Sequence, residues 1–226
     1  MQEKMGFINV LMMLLVVALD LCYATMGGLW LKAVASASFV LLGVINLIYA
    51  LKCNDTNKKF CLTMVIGLFV AMLGDIVLNL HFMYGAILFA IGHIFYFVAF
   101  CFLSKFKATD LIYGVVLSII SAIVILVVPI FDFGGIVMQL LCLIYALIIS
   151  FMVGKTVANF VREKTLFNLI LVVGSVLFFF SDLMLLFDVF AQVSKIAGVM
   201  CLASYYPAQA LLAYSIFANT KQQEIK

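Results

Sequence analysis

Apolar stretches long enough to cross a lipid bilayer recur along the whole sequence. A membrane-spanning helix needs about 20 predominantly apolar residues. Eight segments approach or exceed this length: 5–22, 29–51, 60–80, 84–104, 111–130, 136–159, 167–187 and 195–218. Transmembrane strands would instead alternate apolar and polar residues in units of about ten. The sequence therefore predicts an all-α polytopic membrane protein with eight transmembrane helices.

The composition favours a single membrane domain over residues 1–226. The chain is 68% hydrophobic and 10% charged, whereas a soluble domain is roughly half apolar and a quarter charged. The net charge of +3 arises in the loops and does not indicate nucleic-acid binding. The six cysteines form no C-x-x-C pair, so we expect apolar packing residues. Segment 5–22 lacks a small-x-small cleavage site and is predicted to remain as the first helix.

The basic residues predict the orientation in the membrane, because cytoplasmic loops carry the excess of Lys and Arg. Of the 13 basic residues, only Lys32 and Lys195 fall on one side of the eight-helix chain. The other side has Lys4, Lys52, Lys58, Lys59, Lys105, Lys107, Lys155, Arg162, Lys164, Lys221 and Lys226. We therefore expect an integral protein of a bacterial cytoplasmic membrane with both termini in the cytoplasm.

Two aspartates lie inside apolar segments. Asp75 and Asp182 each stand five residues before the outer end of a predicted helix, and an intramembrane carboxylate is a functional-site hypothesis by default. Other polar side chains are expected in the same half: Asp20, Lys32, Asn79, His93, Tyr205, Tyr206 and Gln209. The inner half has almost nothing comparable. We predict one polar cavity that opens outward and is closed toward the cytoplasm.

A weak internal repeat relates the two aspartates. Segment 74–78 resembles segment 181–185, and each is followed by a helix with an aromatic and polar cluster, at 92–96 and 204–207. Halves 1–107 and 108–226 would form two parallel four-helix repeats about an axis along the membrane normal. Such an axis would bring Asp75 and Asp182 toward each other.

Each candidate residue also has a structural interpretation. Asp75 and Asp182 are either satisfied by neighbouring polar groups or form an acid/base pair, in which burial and repulsion keep one carboxyl protonated. His93 and Tyr96 share a helix face, as core residues or as part of the site. Lys32 either snorkels, pairs with an acid or faces a lipid phosphate.

Helix eight and the histidines leave similar alternatives. Tyr205, Tyr206 and Gln209 either pack with interhelical hydrogen bonds or border the cavity. Pro207 removes a backbone donor there and is expected to kink the helix. With only two histidines in the chain, no metal site is predicted.

At these residues the chain resembles the YhhN family of lysoplasmalogenases. The resemblance rests on segments 73–78, 92–96, 180–185 and 205–209, in this order along an eight-helix chain, and on Lys32 early in the second helix. It covers essentially the whole chain.

The resemblance implies hydrolysis of the vinyl ether bond of lysoplasmalogens, giving a fatty aldehyde and glycerophosphoethanolamine or glycerophosphocholine. One of Asp75 and Asp182 would be the general acid, and the other would stabilise the cation and orient water, as the two carboxylates of glycosidases do. Lys32 would lie near the phosphate. Supporting or substrate-binding roles are implied for Asn79, His93, Tyr96, Tyr205, Tyr206 and Gln209. The expected partners are a lysophospholipid and the bilayer, and neither a metal nor an organic cofactor is called for.

Two rival functions follow from the same residues. An intramembrane aspartyl protease would need G-x-G-D, but position 72 is Met and the aspartates come in the wrong order. A proton-coupled transporter or lipid-binding protein would load protons on Asp75 and Asp182. Transport predicts polar groups reaching both faces, whereas the sequence predicts them mainly in one half.

Overall fold

The computed structural model describes residues 2–53, 56–191 and 195–225, with side chains described to residue 222. The chain is 89% helical, and no strand occurs in these ranges. All eight helices are long and apolar enough to cross a membrane. They are α1 (Gln2–Met26), α2 (Leu29–Leu51), α3 (Lys58–Leu78), α4 (Phe82–Leu103), α5 (Ala108–Val127), α6 (Ile136–Arg162), α7 (Leu166–Leu186) and α8 (Lys195–Ile225). The prediction of an all-α polytopic membrane protein is confirmed.

Glycines and caps set several helix ends. Gly27 and Gly28 adopt φ of 68° and 96° between α1 and α2, in the left-handed region that suits glycine. Asn57 and Thr165 cap α3 and α7 by accepting hydrogen bonds from backbone amides three residues on. A short π-helix, Phe187–Ala191, follows α7 and was not predicted.

Because each helix crosses the bundle, successive connections alternate between its two ends. We call the end with the α1–α2, α3–α4, α5–α6 and α7–α8 connections the site end, and the other end the terminal end. Lys226, which entered the orientation argument, lies outside the described residues.

Two helical hairpins, α3–α4 and α7–α8, form the centre of the bundle. Helix α2 packs against α3 and α8, and α6 packs against α7 and α4. Helix α1 packs on α2 and α8, while α5 contacts α6 alone among the described helices. If α1–α4 and α5–α8 were two parallel repeats, α2 would correspond to α6 and α8 to α4. The α2–α8 contact would then be the counterpart of the α6–α4 contact.

Glycine permits close approach within the α3–α4 hairpin. A Cβ atom on Gly85 would lie 2.4 Å from the Cα of Leu78, so the two backbones nearly touch. Gly74 likewise faces Phe89, whose backbone nitrogen would be 3.2 Å from an added Cβ. Small residues at such crossings allow transmembrane helices to pack closely. This packing holds Asp75, next to Gly74, against α4.

The expectation that the inner half holds almost no polar groups is wrong. Near the terminal end, Lys155 Nζ lies 2.8 Å from Asp110 Oδ2, and both residues are 1% exposed. Arg162 forms a second ion pair with Asp110. Ser104 accepts hydrogen bonds from Lys155 and Arg162 and donates one to Asn159. Pairing offsets the cost of burying these charges. Lys155 can therefore lie buried within α6.

Candidate active site

A polar cavity of about 260 Å³ lies at the site end between α1, α2, α3, α4, α7 and α8. One water molecule needs only about 10–15 Å³ of such space, so the cavity has room for a polar group larger than water. Asp75 and Asp182 both border it. The other polar lining residues are Tyr23, Lys32, Asn79, Ser181, Asp188 and Tyr205.

The carboxylate of Asp75 is surrounded by donors. Lys32 Nζ lies 2.9 Å from Oδ1. The hydroxyl groups of Ser36 and Tyr206 both donate to Oδ2, the latter at 3.0 Å. Asp75 is therefore fixed by one ion pair and two hydrogen bonds from α2 and α8.

Lys32 joins Asp75 to the cavity wall. Its ammonium donates to Asn79 Oδ1 at 3.0 Å and lies 5.6 Å from the centre of the Tyr23 ring. Asn79 follows the last residue of α3 and donates to the Tyr23 hydroxyl at 3.4 Å. Lys32 is 4% exposed, so it does not snorkel to the surface and instead pairs with an acid.

Asp182 has a different environment. The Tyr145 hydroxyl donates to Asp182 Oδ2 at 2.7 Å. His93 Nε2 lies 2.8 Å from that hydroxyl and 3.3 Å from the same carboxylate oxygen. The His93 ring is completely buried and packs edge-on against Phe178, with ring centres 4.6 Å apart. No Lys or Arg pairs with Asp182 in the described part of the chain.

Each of the two carboxylates takes its partners from two other helices. Asp75 on α3 takes its partners from α2 and α8, and Asp182 on α7 takes its partners from α6 and α4. The centres differ in charge, since only Asp75 has a permanent cation beside it.

Tyr96 and Gln209 form a separate buried contact. The Tyr96 hydroxyl donates to Gln209 Oε1 at 2.8 Å, and neither residue lines the cavity. Tyr205 does line it, and its ring packs against Phe178, Phe39 and Phe89. The structure thus gathers Lys32, Asn79 and Tyr205 around the two carboxylates and keeps Tyr96 and Gln209 apart from them.

Sequence reasoning missed several contributors. Ser36 lies one turn after Lys32 on the same face of α2, and this spacing could have identified it. Tyr145 lies in an uninterrupted apolar run on α6 and had no such signal. Asp188 follows α7 on the π-helix and borders the cavity.

In the described residues, no three His, Cys, Asp or Glu side chains converge as a set that could hold a metal ion. The site can instead combine a carboxylate fixed by a cation with a second carboxyl connected to tyrosine and histidine. Such a pair can supply a proton and a negative charge to one bound molecule.

No curated protein and no solved structure matches the chain. One family model, the YhhN family, matches residues 32–216, which include both carboxylates and all their partners named above. The chain therefore belongs to the YhhN family.

Proposed function

We propose that the protein hydrolyses the vinyl ether bond of lysoplasmalogens to a fatty aldehyde and a glycerophospho-base. The observation that carries this proposal is the placement of two carboxylates with unlike partners on one cavity inside a membrane domain. Membership of the YhhN family is consistent with a lysoplasmalogenase-like function.

Asp182 is the proposed general acid. In the described part of the chain, no Lys or Arg pairs with it. Tyr145 and His93 contact its carboxyl group and fix its orientation at the cavity.

Asp75 is the proposed charge stabiliser. Lys32 pairs with it, Ser36 and Tyr206 donate hydrogen bonds to it, and it lines the cavity in which a cation would form. A preorganised charge of this kind needs little rearrangement when the transition state develops.

The chemistry balances with water as the only co-reactant. Asp182 donates its proton to the vinyl carbon farther from the ether oxygen, leaving an oxocarbenium ion. Water adds to the carbon that bears the ether oxygen and loses a proton to the Asp182 carboxylate. The hemiacetal then collapses to the aldehyde: its hydroxyl group loses a proton as the C=O bond forms, the bond from this carbon to the glycerol oxygen breaks, and the glycerol oxygen takes up that proton and leaves as the alcohol of the glycerophospho-base.

Lys32 is the proposed contact for the phosphate. A lysine ammonium has three donors, and Asp75 and Asn79 occupy two of them. The third can face an anionic oxygen in the cavity without breaking the ion pair to Asp75.

The bond that breaks provides the test. Purified protein is given 1-alkenyl-lysophosphatidylethanolamine in water enriched in oxygen-18, with the 1-alkyl and 1-acyl lipids as control substrates. We expect aldehyde from the alkenyl lipid alone, and glycerophosphoethanolamine without oxygen-18, because the original ether oxygen stays on glycerol. Label in the glycerophosphoethanolamine, or no aldehyde from folded protein, would contradict the proposal and favour transport or binding of a lipid.

A further inference from the structure

The walls of the polar cavity carry more acidic than basic residues. The formally charged residues that line it are Lys32, Asp75, Asp182 and Asp188. Lys32 and Asp75 form an ion pair and offset each other, and Asp182 is the acid of the proposed reaction. In the described part of the chain, no Lys or Arg pairs with Asp188. One carboxylate of the cavity therefore remains for a positively charged group of a ligand.

The backbone directs Asp188 toward the cavity. Ser181, Leu185 and Asp188 all line it, at the spacings of four and three residues that repeat along one helix face. The Asp188 carboxylate lies against α8, since a Cβ atom on Gly198 would be 3.1 Å from both of its oxygens. Because Asp188 is also exposed, it lies where the cavity meets its surroundings.

The start of α8 does not supply Asp188 with a partner. A carboxylate beside the first turn of a helix can accept hydrogen bonds from free backbone amides, but none of the described residues donates one to Asp188. Lys195, the exposed first residue of α8, forms no ion pair with it either. Both oxygens of Asp188 are therefore open to a ligand.

We propose that Asp188 binds the positively charged amine of a phospholipid head group, so that the cavity selects zwitterionic over anionic head groups. The contact of the phosphate with Lys32 rests on the proposed function. A basic and an acidic side chain on one cavity match the opposite charges of such a head group. A head group that ends in a neutral alcohol brings only its phosphate charge and leaves Asp188 without a cation.

Changing the charge at position 188 should change this selection. Asp188→Asn removes the charge and nearly keeps the shape of the side chain. We expect it to weaken binding of head groups with an amine by about fivefold or more, and not to weaken binding of a head group with a neutral end. Asp188→Lys should reverse the preference, because it places a second cation beside the phosphate.

The test measures binding, so it does not depend on turnover. The probes are 1-O-hexadecyl lysophospholipids with ethanolamine, choline or glycerol head groups, which share one chain and lack the vinyl ether. Their dissociation constants are measured for the full chain in an uncharged detergent, which adds no competing head group. The matched control is Asp132→Asn. Asp132 is exposed and its amide donates to the Phe190 carbonyl at 2.8 Å, but it does not line the cavity.

The expected result is tighter wild-type binding of the ethanolamine and choline lipids than of the glycerol lipid. This preference should be lost in Asp188→Asn, reversed in Asp188→Lys and kept in Asp132→Asn. Binding of the glycerol lipid by each variant shows that it is folded. The same preference in all four proteins, or no preference in the wild type, would overturn the inference.

The inference and the proposed reaction can fail separately. If the expected pattern appears but the alkenyl lipid yields no aldehyde, the assignment of Asp188 stands and the reaction fails. If aldehyde is released but head-group preference does not depend on Asp188, the reaction stands and this inference is overturned.

Discussion

At the scale of single residues, the contrast between the two carboxylates depends on a few hydroxyl and amino groups. Asp75 has Lys32 as a counterion, whereas Asp182 has Tyr145 and His93. If Asp182 is the acid, the groups that orient it should affect turnover. They should matter less for the binding of a lipid head group.

Tyr145→Phe should lower kcat by about tenfold or more, because it removes the hydroxyl between Asp182 and His93. The ring remains, so packing should be nearly unchanged. Steady-state rates of aldehyde release would measure the effect, with Tyr84→Phe on an exposed part of α4 as the control. A change in KM with kcat unaltered would mean that Tyr145 serves binding instead.

Lys32→Met should both inactivate and destabilise the protein. It leaves the 4% exposed Asp75 without its counterion, and breaking a buried ion pair typically costs about 3–5 kcal/mol. Thermal unfolding would show this loss, and adding Asp75→Asn should restore part of it, since the uncompensated charge is then removed. If the double variant were no more stable than Lys32→Met, the ion pair would not account for the loss.

Sequence predicted the carboxylates better than their partners. Asp75 and Asp182 stand out because a charge in an apolar run is costly and rare. Tyr145 does not, since a tyrosine in a transmembrane segment is ordinary until its neighbours are known. The position of Lys155 in the eight-helix chain predicted its side of the membrane but not its counterion, since Asp110 is 45 residues away in sequence.

At the scale of helices, the terminal end of the bundle is joined by the buried network of Asp110, Lys155 and Arg162. This network connects α5 to α6, and Ser104 extends it to the end of α4. Helix α5 has no backbone contact with α4 in the described part of the chain. The network therefore provides a polar connection between two helices that do not pack directly.

Asp110→Asn should destabilise the protein more than Arg162→Gln. The first change leaves the ammonium of Lys155 buried without a carboxylate, whereas the second leaves the Lys155–Asp110 pair intact. We expect a loss of about 3–5 kcal/mol for Asp110→Asn and a clearly smaller loss for Arg162→Gln. Unfolding of both variants in the same detergent would measure the two losses of stability. Equal losses would argue against a central role for the Lys155–Asp110 pair.

The helices themselves were largely predictable, because apolar length is a direct requirement of the bilayer. Segment 29–51 coincides with α2 at both ends. The π-helix after α7 was not predictable, since no residue in Phe187–Ala191 distinguishes a π-helix from a continuing α-helix. The packing of α6 against α4 was not predictable either, because neither helix sequence alone indicates its partner.

At the scale of the whole molecule, the arrangement suggests two related halves. The α3–α4 and α7–α8 hairpins correspond, and each aspartate takes its partners from two helices that also correspond. Duplication of 1–107 as 108–226 stays a prediction, and this contact pattern supports it. Duplication would also explain why both carboxylates lie at the same end of the bundle.

The orientation of the molecule is a further prediction. If both termini are cytoplasmic, the site end faces outward. Asp132→Cys at the exposed α5–α6 connection should then react with an impermeant maleimide on intact cells. Lys164→Cys, at the exposed α6–α7 connection, should react only after permeabilisation. The reverse pattern would place the cavity on the cytoplasmic side.

The central claim is that both carboxylates are needed to cleave a vinyl ether. The most direct measurement is aldehyde release from 1-alkenyl-lysophosphatidylethanolamine by the wild type, Asp75→Asn and Asp182→Asn. Asp132→Asn, which changes an exposed carboxylate away from the cavity, is the control. The account predicts a fall of about 100-fold or more for each cavity variant and wild-type rates for the control. A folded Asp75→Asn or Asp182→Asn protein that released aldehyde at the wild-type rate would contradict it.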